Sequence, residues 1–153
     1  MRALIVYFSA TGNTAKIAKA MAQILRAKVK KVQDAKPGDI SKYNLIGFGS
    51  GIYAMKPSPA LLNFVDKMPC SKKKQKAFIF STRGGGPTWL YHRALRKKLT
   101  ERGFEIAGEF SCKGLDTFWL FKWFGGLNKG KPGKKEVHDA KSFARLLASF
   151  IVQ

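Results

Sequence analysis

Residues 1–14, MRALIVYFSATGNT, constrain this chain more than any other stretch. Ala3–Phe8 is an unbroken apolar, β-prone run, the pattern of a strand covered on both faces. It stops at Ser9, and Ser9, Thr11, Asn13 and Thr14 then crowd around Gly12. The following AKIAKAMAQIL puts Ile17, Met21 and Ile24/Leu25 on one helical stripe. A strand covered on both faces needs helices above and below it, so the chain is committed to a layered α/β architecture.

The rest of the sequence repeats the alternation. Lys28–Val32 reads as a short, half-polar strand near an edge, Leu45–Gly49 as a third strand, Ala77–Ser81 as a fourth and Phe104–Cys112 as a fifth. Ser58-Pro59 is a cap and first-turn pair for a helix through Leu61, Leu62 and Val65. A helix runs from about Thr88 to Arg102 and stops at Gly103. Val137, Ala140, Ala144, Leu147 and Ile151 form a last helical stripe. This order predicts a mostly parallel sheet with helices on both faces. No internal repeat and no linker rich in Pro, Gly and Ser divides the chain, so 1–153 reads as one domain, with 113–135 a basic aromatic insertion before the last helix. Ligands of open parallel sheets bind beyond the carboxyl ends of the strands, which directs attention to the loops after strands one, three and four.

Charge narrows the partners. Lys and Arg outnumber Asp and Glu by 29 to 9, a formal +20, which attracts nucleic acid, an anionic membrane surface or an acidic protein. Cys70 and Cys112 are too few and too far apart for a disulfide framework, and both are expected to be buried thiols in a reducing compartment. One Arg and six apolar residues precede Ser9, too short for a signal-peptide core, and no apolar run approaches the ~20 residues of a membrane span. The expected location is cytoplasmic, with peripheral membrane association as the variant.

The first loop has the chemistry of an anion site. A helix start presents unsatisfied N–H groups and a partial positive charge. Gly12 allows close approach, and the surrounding hydroxyl and amide side chains add donors without any cation. A simple helix cap needs only one such residue. The run Ile5-Val6-Tyr7-Phe8-Ser9-Ala10-Thr11-Gly12-Asn13-Thr14, with Ala18 behind it, closely resembles the FMN-phosphate signature of flavodoxins. The resemblance implies a three-layer flavodoxin-like fold, with a five-stranded parallel sheet of order 2-1-3-4-5, and FMN as cofactor. This fold is itself a standard illustration of the switch-point rule, so its ligand position is not an independent deduction. Gly125–Lys131 fits the opening of a Walker A pattern, but Pro132 replaces the hydroxyl residue and no strand precedes it. Gly47, Gly49 and Gly51 lack the dinucleotide spacing.

By the same resemblance, Ser9, Ala10, Thr11, Gly12, Asn13 and Thr14 hold the phosphate, while two further loops bracket the flavin ring. In GSGIYAMKP the residues are Ser50, Gly51, Ile52, Tyr53 and Ala54, with Tyr53 a stacking candidate. In STRGGGPTW they are Thr82, Arg83, Gly84, Gly85 and Gly86, with Trp89 as a second wall. Arg83 departs from the neutral or acidic character that flavodoxins commonly keep here, which implies a less negative couple for the fully reduced flavin.

Phe118, Trp119, Leu120, Phe121, Lys122, Trp123 and Phe124 sit in a lysine-rich segment. Core packing accounts for part of it. The functional alternative is an apolar patch rimmed by charge that meets a redox partner, a substrate or an anionic membrane. Nucleic acid is the weakest option, since no recognisable module accompanies the charge. His92 and His138 are isolated, and His92 reads as part of a solvated helix face. Paired carboxylates, a zinc spacing and a nucleophile motif are missing from the sequence.

The leading expectation is therefore a flavodoxin-like carrier passing electrons between redox partners, an acidic protein among them. One alternative is an FMN-dependent oxidoreductase acting on a quinone or other hydrophobic acceptor, similar to protoporphyrinogen dehydrogenases. The other is a non-catalytic binding module. A carrier ranks above an enzyme, and the oligomeric state is left open.

Overall fold

The computed structural model describes residues 1–53, 55–72, 74–83, 88–113 and 133–152. In chain order the elements are β1 (Ala3–Phe8), α1 (Asn13–Leu25), β2 (Lys28–Lys31), β3 (Leu45–Tyr53), β4 (Lys56–Pro57), α2 (Pro59–Asp66), β5 (Lys76–Arg83), α3 (Thr88–Glu101), β6 (Glu105–Lys113) and α4 (Lys134–Val152). Short 3-10 turns over Val32–Asp34 and Pro37–Lys42 connect β2 to β3. The sheet order is β2-β1-β3-β5-β6, with each of these pairs parallel. β4 is a two-residue antiparallel return on the end of β3. With that return set aside, the order is the expected 2-1-3-4-5.

The apolar run of β1 feeds two cores at once. Successive side chains of a strand point to opposite faces. Ala3, Ile5 and Tyr7 join Ile17, Met21 and Leu25 of α1 and Ala140, Ala144 and Leu147 of α4. Leu4 and Val6 join Leu61, Phe64 and Val65 of α2 and Leu95 and Leu99 of α3. Each alternate position of the run thus belongs to a different layer. Among the described residues no helix is long and apolar enough to cross a membrane.

Element ends follow local chemistry in part. Ser58 caps α2, its hydroxyl accepting the Ala60 N–H at 3.2 Å, with Pro59 in the first turn. Gly103 takes φ +82 just past α3. Two strands run beyond their expected ends, β3 through Tyr53 and β5 through Arg83. Polar residues there suggested loops, but Ser50 pairs with Phe8 and Ser81, and Gly51 pairs with Thr82. Ladder pairing with neighbours overrides weak local propensity. Cys112 is buried as expected, whereas Cys70 is exposed. Cys70 follows Pro69 in the turn after α2, outside both cores.

The glycines of LIGFGSG are matched to aromatic rings on the next strand. Gly47 pairs with Phe78 and Gly49 with Phe80. Each ring occupies the space that a Cβ on its glycine partner would need. Phe78 and Phe80 stack with centroids 6.0 Å apart, and Phe143 of α4 closes on Phe78 and Phe110 at 6.1 and 5.4 Å. A methyl group at Gly49 must displace Phe80 from this stack. Gly49→Ala is expected to lower stability by about 1–3 kcal/mol, an overpacking cost, read as a shifted midpoint with unchanged slope in urea unfolding.

Candidate functional site

The carboxyl ends of the strands are level. Phe8, Ser50, Ser81 and Ser111 form one row of paired residues across β1, β3, β5 and β6. The β1–α1 turn rises from this row. Gly12 is the cap residue of α1 and takes φ +87, with nothing within 4 Å of the position a Cβ would occupy. Having no side chain, it leaves the start of α1 without a cap from that position. Ser9 folds over the turn instead, its hydroxyl oxygen accepting the N–H of Gly12 at 3.0 Å and of Ala15 at 3.4 Å. Ala10, Thr11 and Gly12 are exposed, Ser9 and Asn13 half-buried. The turn therefore exposes Ala10, Thr11 and Gly12 at a helix N-terminus, with Ser9 holding the N–H groups of Gly12 and Ala15 and open space beside Gly12.

Thr14 points the other way. It is buried, and its hydroxyl lies 2.9 Å from the hydroxyl of Thr82 on β5. This pair ties the first turn to the end of the fourth parallel strand. Ser50 also has internal duties: its hydroxyl donates to the Gly51 carbonyl at 2.6 Å and accepts the Ser58 N–H at 2.9 Å.

At the end of β3 the Tyr53 ring is 38% exposed, meets Phe8 edge-on with centroids 5.9 Å apart, and hydrogen-bonds the backbone of Ala10. Its hydroxyl lies 2.9 Å from where a Cβ of Gly51 would sit, so the glycine leaves room for the phenol. Burial pushes the phenol above its ordinary value and the Ala10 backbone bond opposes this. Gly51 and Ile52 are half-buried on the same strand end. Tyr53 is thus brought against the Ser9–Asn13 turn. Trp89 is 63% exposed on the first turn of α3. Ala54, Gly84, Gly85 and Gly86 lie outside the described residues, as do Phe118, Trp119, Phe121, Lys122, Trp123 and Phe124.

His92 overturns its expectation. It is fully buried on the inner face of α3, not on a solvated one. It stands three residues before Leu95 and seven before Leu99, both buried, so helical spacing places it on the same stripe. That spacing was present in the sequence. Its Nε2 lies 2.7 Å from the Ser81 hydroxyl and its Nδ1 3.0 Å from Glu109 Oε1. Arg96 holds the same carboxylate with two bonds, at 2.9 and 2.8 Å. The Ser81 hydroxyl lies 2.9 Å from that of Ser111, which accepts Arg83 Nε–H at 2.9 Å. Burial lowers the His92 basicity, offset in part by Glu109, so the ring is held neutral below its ordinary value. Burial alone would raise the Glu109 carboxyl, but hydrogen bonds and charge from Arg96 bring it below the usual carboxylate range. Cys112, beside this network on the opposite face, has its thiol pushed up to about 12 by burial and by Glu136, which makes it a poor nucleophile.

Part of the excess charge sits at the other end of the sheet. A cavity of about 670 Å³ opens beside the amino ends of β3 and β5, lined by Lys42, Lys72, Lys74 and Lys76 with Tyr43 and Cys70. These four lysines lie away from the Ser9–Thr14 turn. Among the described residues no cluster of His, Cys, Asp and Glu has the makings of a metal site.

Two measurements follow from these buried contacts. Thr82→Val strands the Thr14 hydroxyl and is expected to cost about 1–3 kcal/mol, while Thr14→Val/Thr82→Val costs less than the sum of the single changes; urea unfolding of the cycle reads this. Below pH ~6.5 the unfolded chain binds a proton at His92 that the folded protein resists, so this contribution to stability is present above that pH and declines as pH falls. The stability of wild type relative to His92→Gln is therefore expected to drop between pH 7 and 5, and a constant difference would contradict it.

Comparison with known proteins agrees with this geometry. A family profile for the flavodoxin domain matches residues 4–118. An uncharacterized protein of Methanocaldococcus jannaschii is 48% identical over 148 residues, covering 95% of this chain and 97% of the relative. Among solved structures, a flavodoxin from the domain Archaea superposes with a TM-score of 0.75 at 18% identity, covering 100% of both chains. A flavoprotein of Lactobacillus acidophilus, solved in complex with FMN, gives 0.60 at 18% identity, over 72% of this chain and 92% of that one. With the strand order, the turn after β1 and the match over 4–118 taken together, the chain belongs to the flavodoxin family.

Proposed function

We propose that this protein binds FMN at the carboxyl ends of β1, β3 and β5 and carries electrons between redox partners. The observation that carries the reading is the β1–α1 turn. Gly12 there has a positive φ and open space beside it, at a helix start whose glycine cap has no side chain. That arrangement suits a phosphate monoester bound by backbone N–H groups and the hydroxyls of Ser9 and Thr11. A cationic side chain is not required, and the turn has none. Family membership supports the same ligand.

Several described residues support the rest of the cofactor site. Tyr53 offers an exposed aromatic face next to the turn, and Trp89 offers another on α3. Gly51, at the end of β3, leaves room for the Tyr53 phenol to stand beside the turn. Arg83, at the last position of β5, supplies positive charge at the same end of the sheet. When bound, FMN supplies one- and two-electron chemistry, and the protein supplies orientation and charge. Arg83 favours added negative charge on the ring, which raises the potential of the fully reduced state relative to acidic members of the family. The overall +20 favours an acidic electron-transfer partner, since complementary charge speeds encounter.

The test is cofactor uptake. Protein mixed with FMN is expected to quench flavin fluorescence, turn yellow and release FMN on denaturation. Gly12→Val, which forces a β-branched side chain into a left-handed position, is expected to weaken binding at least about tenfold while circular dichroism stays that of wild type. A wild-type protein that takes up no FMN overturns the reading. Reduction of an acidic acceptor protein should slow as salt rises.

A further inference from the structure

We propose that His92 is a positioning residue for Arg83: through Ser81 and Ser111 it fixes the guanidinium at the carboxyl end of β5, and one proton taken up by the imidazole rearranges that hold. The inference rests on the proposed function only for what Arg83 is held against. The relay itself belongs to the protein without flavin.

Donor and acceptor rules give the relay a direction. The Glu109 carboxylate only accepts, so the 3.0 Å contact puts the ring hydrogen on Nδ1. Nε2 of the neutral ring then accepts, and Ser81 must donate to it across 2.7 Å. Having spent its one hydrogen, Ser81 accepts from Ser111 across 2.9 Å. Ser111 in turn accepts from Arg83 Nε–H, which has no other role but to donate. Every bond points the same way, from Arg83 through two serines and His92 to Glu109, whose other partner is Arg96. Such head-to-tail chains reinforce each member.

Protonation of Nε2 breaks the direction. The ring becomes a donor at both nitrogens, so Ser81 accepts from it and turns its own hydrogen toward Ser111. Two donors, Ser81 and Arg83, then converge on the Ser111 oxygen, whose hydrogen leaves the chain. The new positive charge on the ring also opposes Arg83, while Glu109 attracts it and Arg96 repels it. These are the charged groups facing the ring from β5, β6 and α3. The proton comes from solvent and nothing is oxidised or reduced. The outcome is a weaker anchor for Arg83 at low pH.

His92→Gln separates positioning from simple packing. A glutamine amide accepts from Ser81 and donates to Glu109, reproducing the neutral imidazole without titrating. In flavin-free protein labelled with nitrogen-15, the Arg83 Nε–H is expected to be protected from exchange about tenfold relative to free arginine at the same pH. That protection should decline in wild type as the His92 nitrogen shifts report its protonation. It should hold at all pH values in His92→Gln and be absent in Ser111→Ala. Protection that stays constant while His92 titrates, or that follows the same pH profile in His92→Gln, overturns the proposal. If His92→Gln does not fold, wild type and Ser111→Ala still decide, because the proposal requires protection that is pH-linked and dependent on Ser111. A second arm measures FMN affinity between pH 8 and 5.5, where the phosphate's own titration appears in both proteins and wild type is expected to fall more steeply than His92→Gln. Absence of FMN binding overturns the proposed function and leaves the exchange result standing.

Discussion

The parallel ladder that brings Phe8, Ser50, Ser81 and Ser111 into one row is the constraint on which the rest depends. A parallel sheet aligns strand ends without tying them to adjacent turns, so the loops above can vary while their roots stay level. Three of its four members are serines, whereas the row directly beneath is Tyr7, Gly49, Phe80 and Phe110. One face of it meets α3, where Ser81 finds His92, while Ser111 binds Arg83 at the end of β5. The next row turns to the other face, where Thr82 meets Thr14 at the start of α1. Two separate hydrogen-bonded ties thus leave the same strand end, one to each helical layer.

Holding that row in place requires the sheet to be thin at its centre. Gly47 and Gly49 let the Phe78 and Phe80 rings lie across β3, and Phe143 then packs from α4 against Phe78. A glycine in a strand interior is costly alone because it has no side chain to pack. A neighbouring aromatic that covers it recovers the contact area. The same arrangement fixes register, since a shift of one residue would drive each ring against a side chain. Rigid centre and exposed rim are therefore parts of one packing solution.

Among the described residues, a group of four lysines and the candidate site lie at opposite ends of the sheet. The turn after β1 relies on backbone dipoles, hydroxyls and a glycine, a combination that orients an anion more than it attracts one. The cavity lined by four lysines lies beside the opposite ends of β3 and β5. At the carboxyl side, Arg83 is engaged by Ser111 and Arg96 by Glu109. A fixed guanidinium in a partly buried place exerts a larger and less screened influence than several mobile lysines.

The sequence by itself determined the alternation of strands and helices, the two-sided burial of β1 and the character of the first turn. Each of these depends on contiguous residues: an apolar run, a helical stripe, a glycine among hydroxyls. Even the Ser58 cap of α2 was legible, because capping is a contact within one turn. Tertiary structure alone decided the ends of β3 and β5, where ladder partners extended strands through residues with loop propensity. It also decided that Cys70 faces solvent and Cys112 does not. Most of all it decided the fate of His92. The spacing to Leu95 and Leu99 marked an inward position, yet a buried imidazole is tolerable only with partners for both nitrogens. Those partners, Ser81 and Glu109, come from β5 and β6 and are adjacent only once the sheet has formed. Contacts local in the chain can be read from its order, whereas the satisfaction of a buried polar group depends on which distant strands become neighbours.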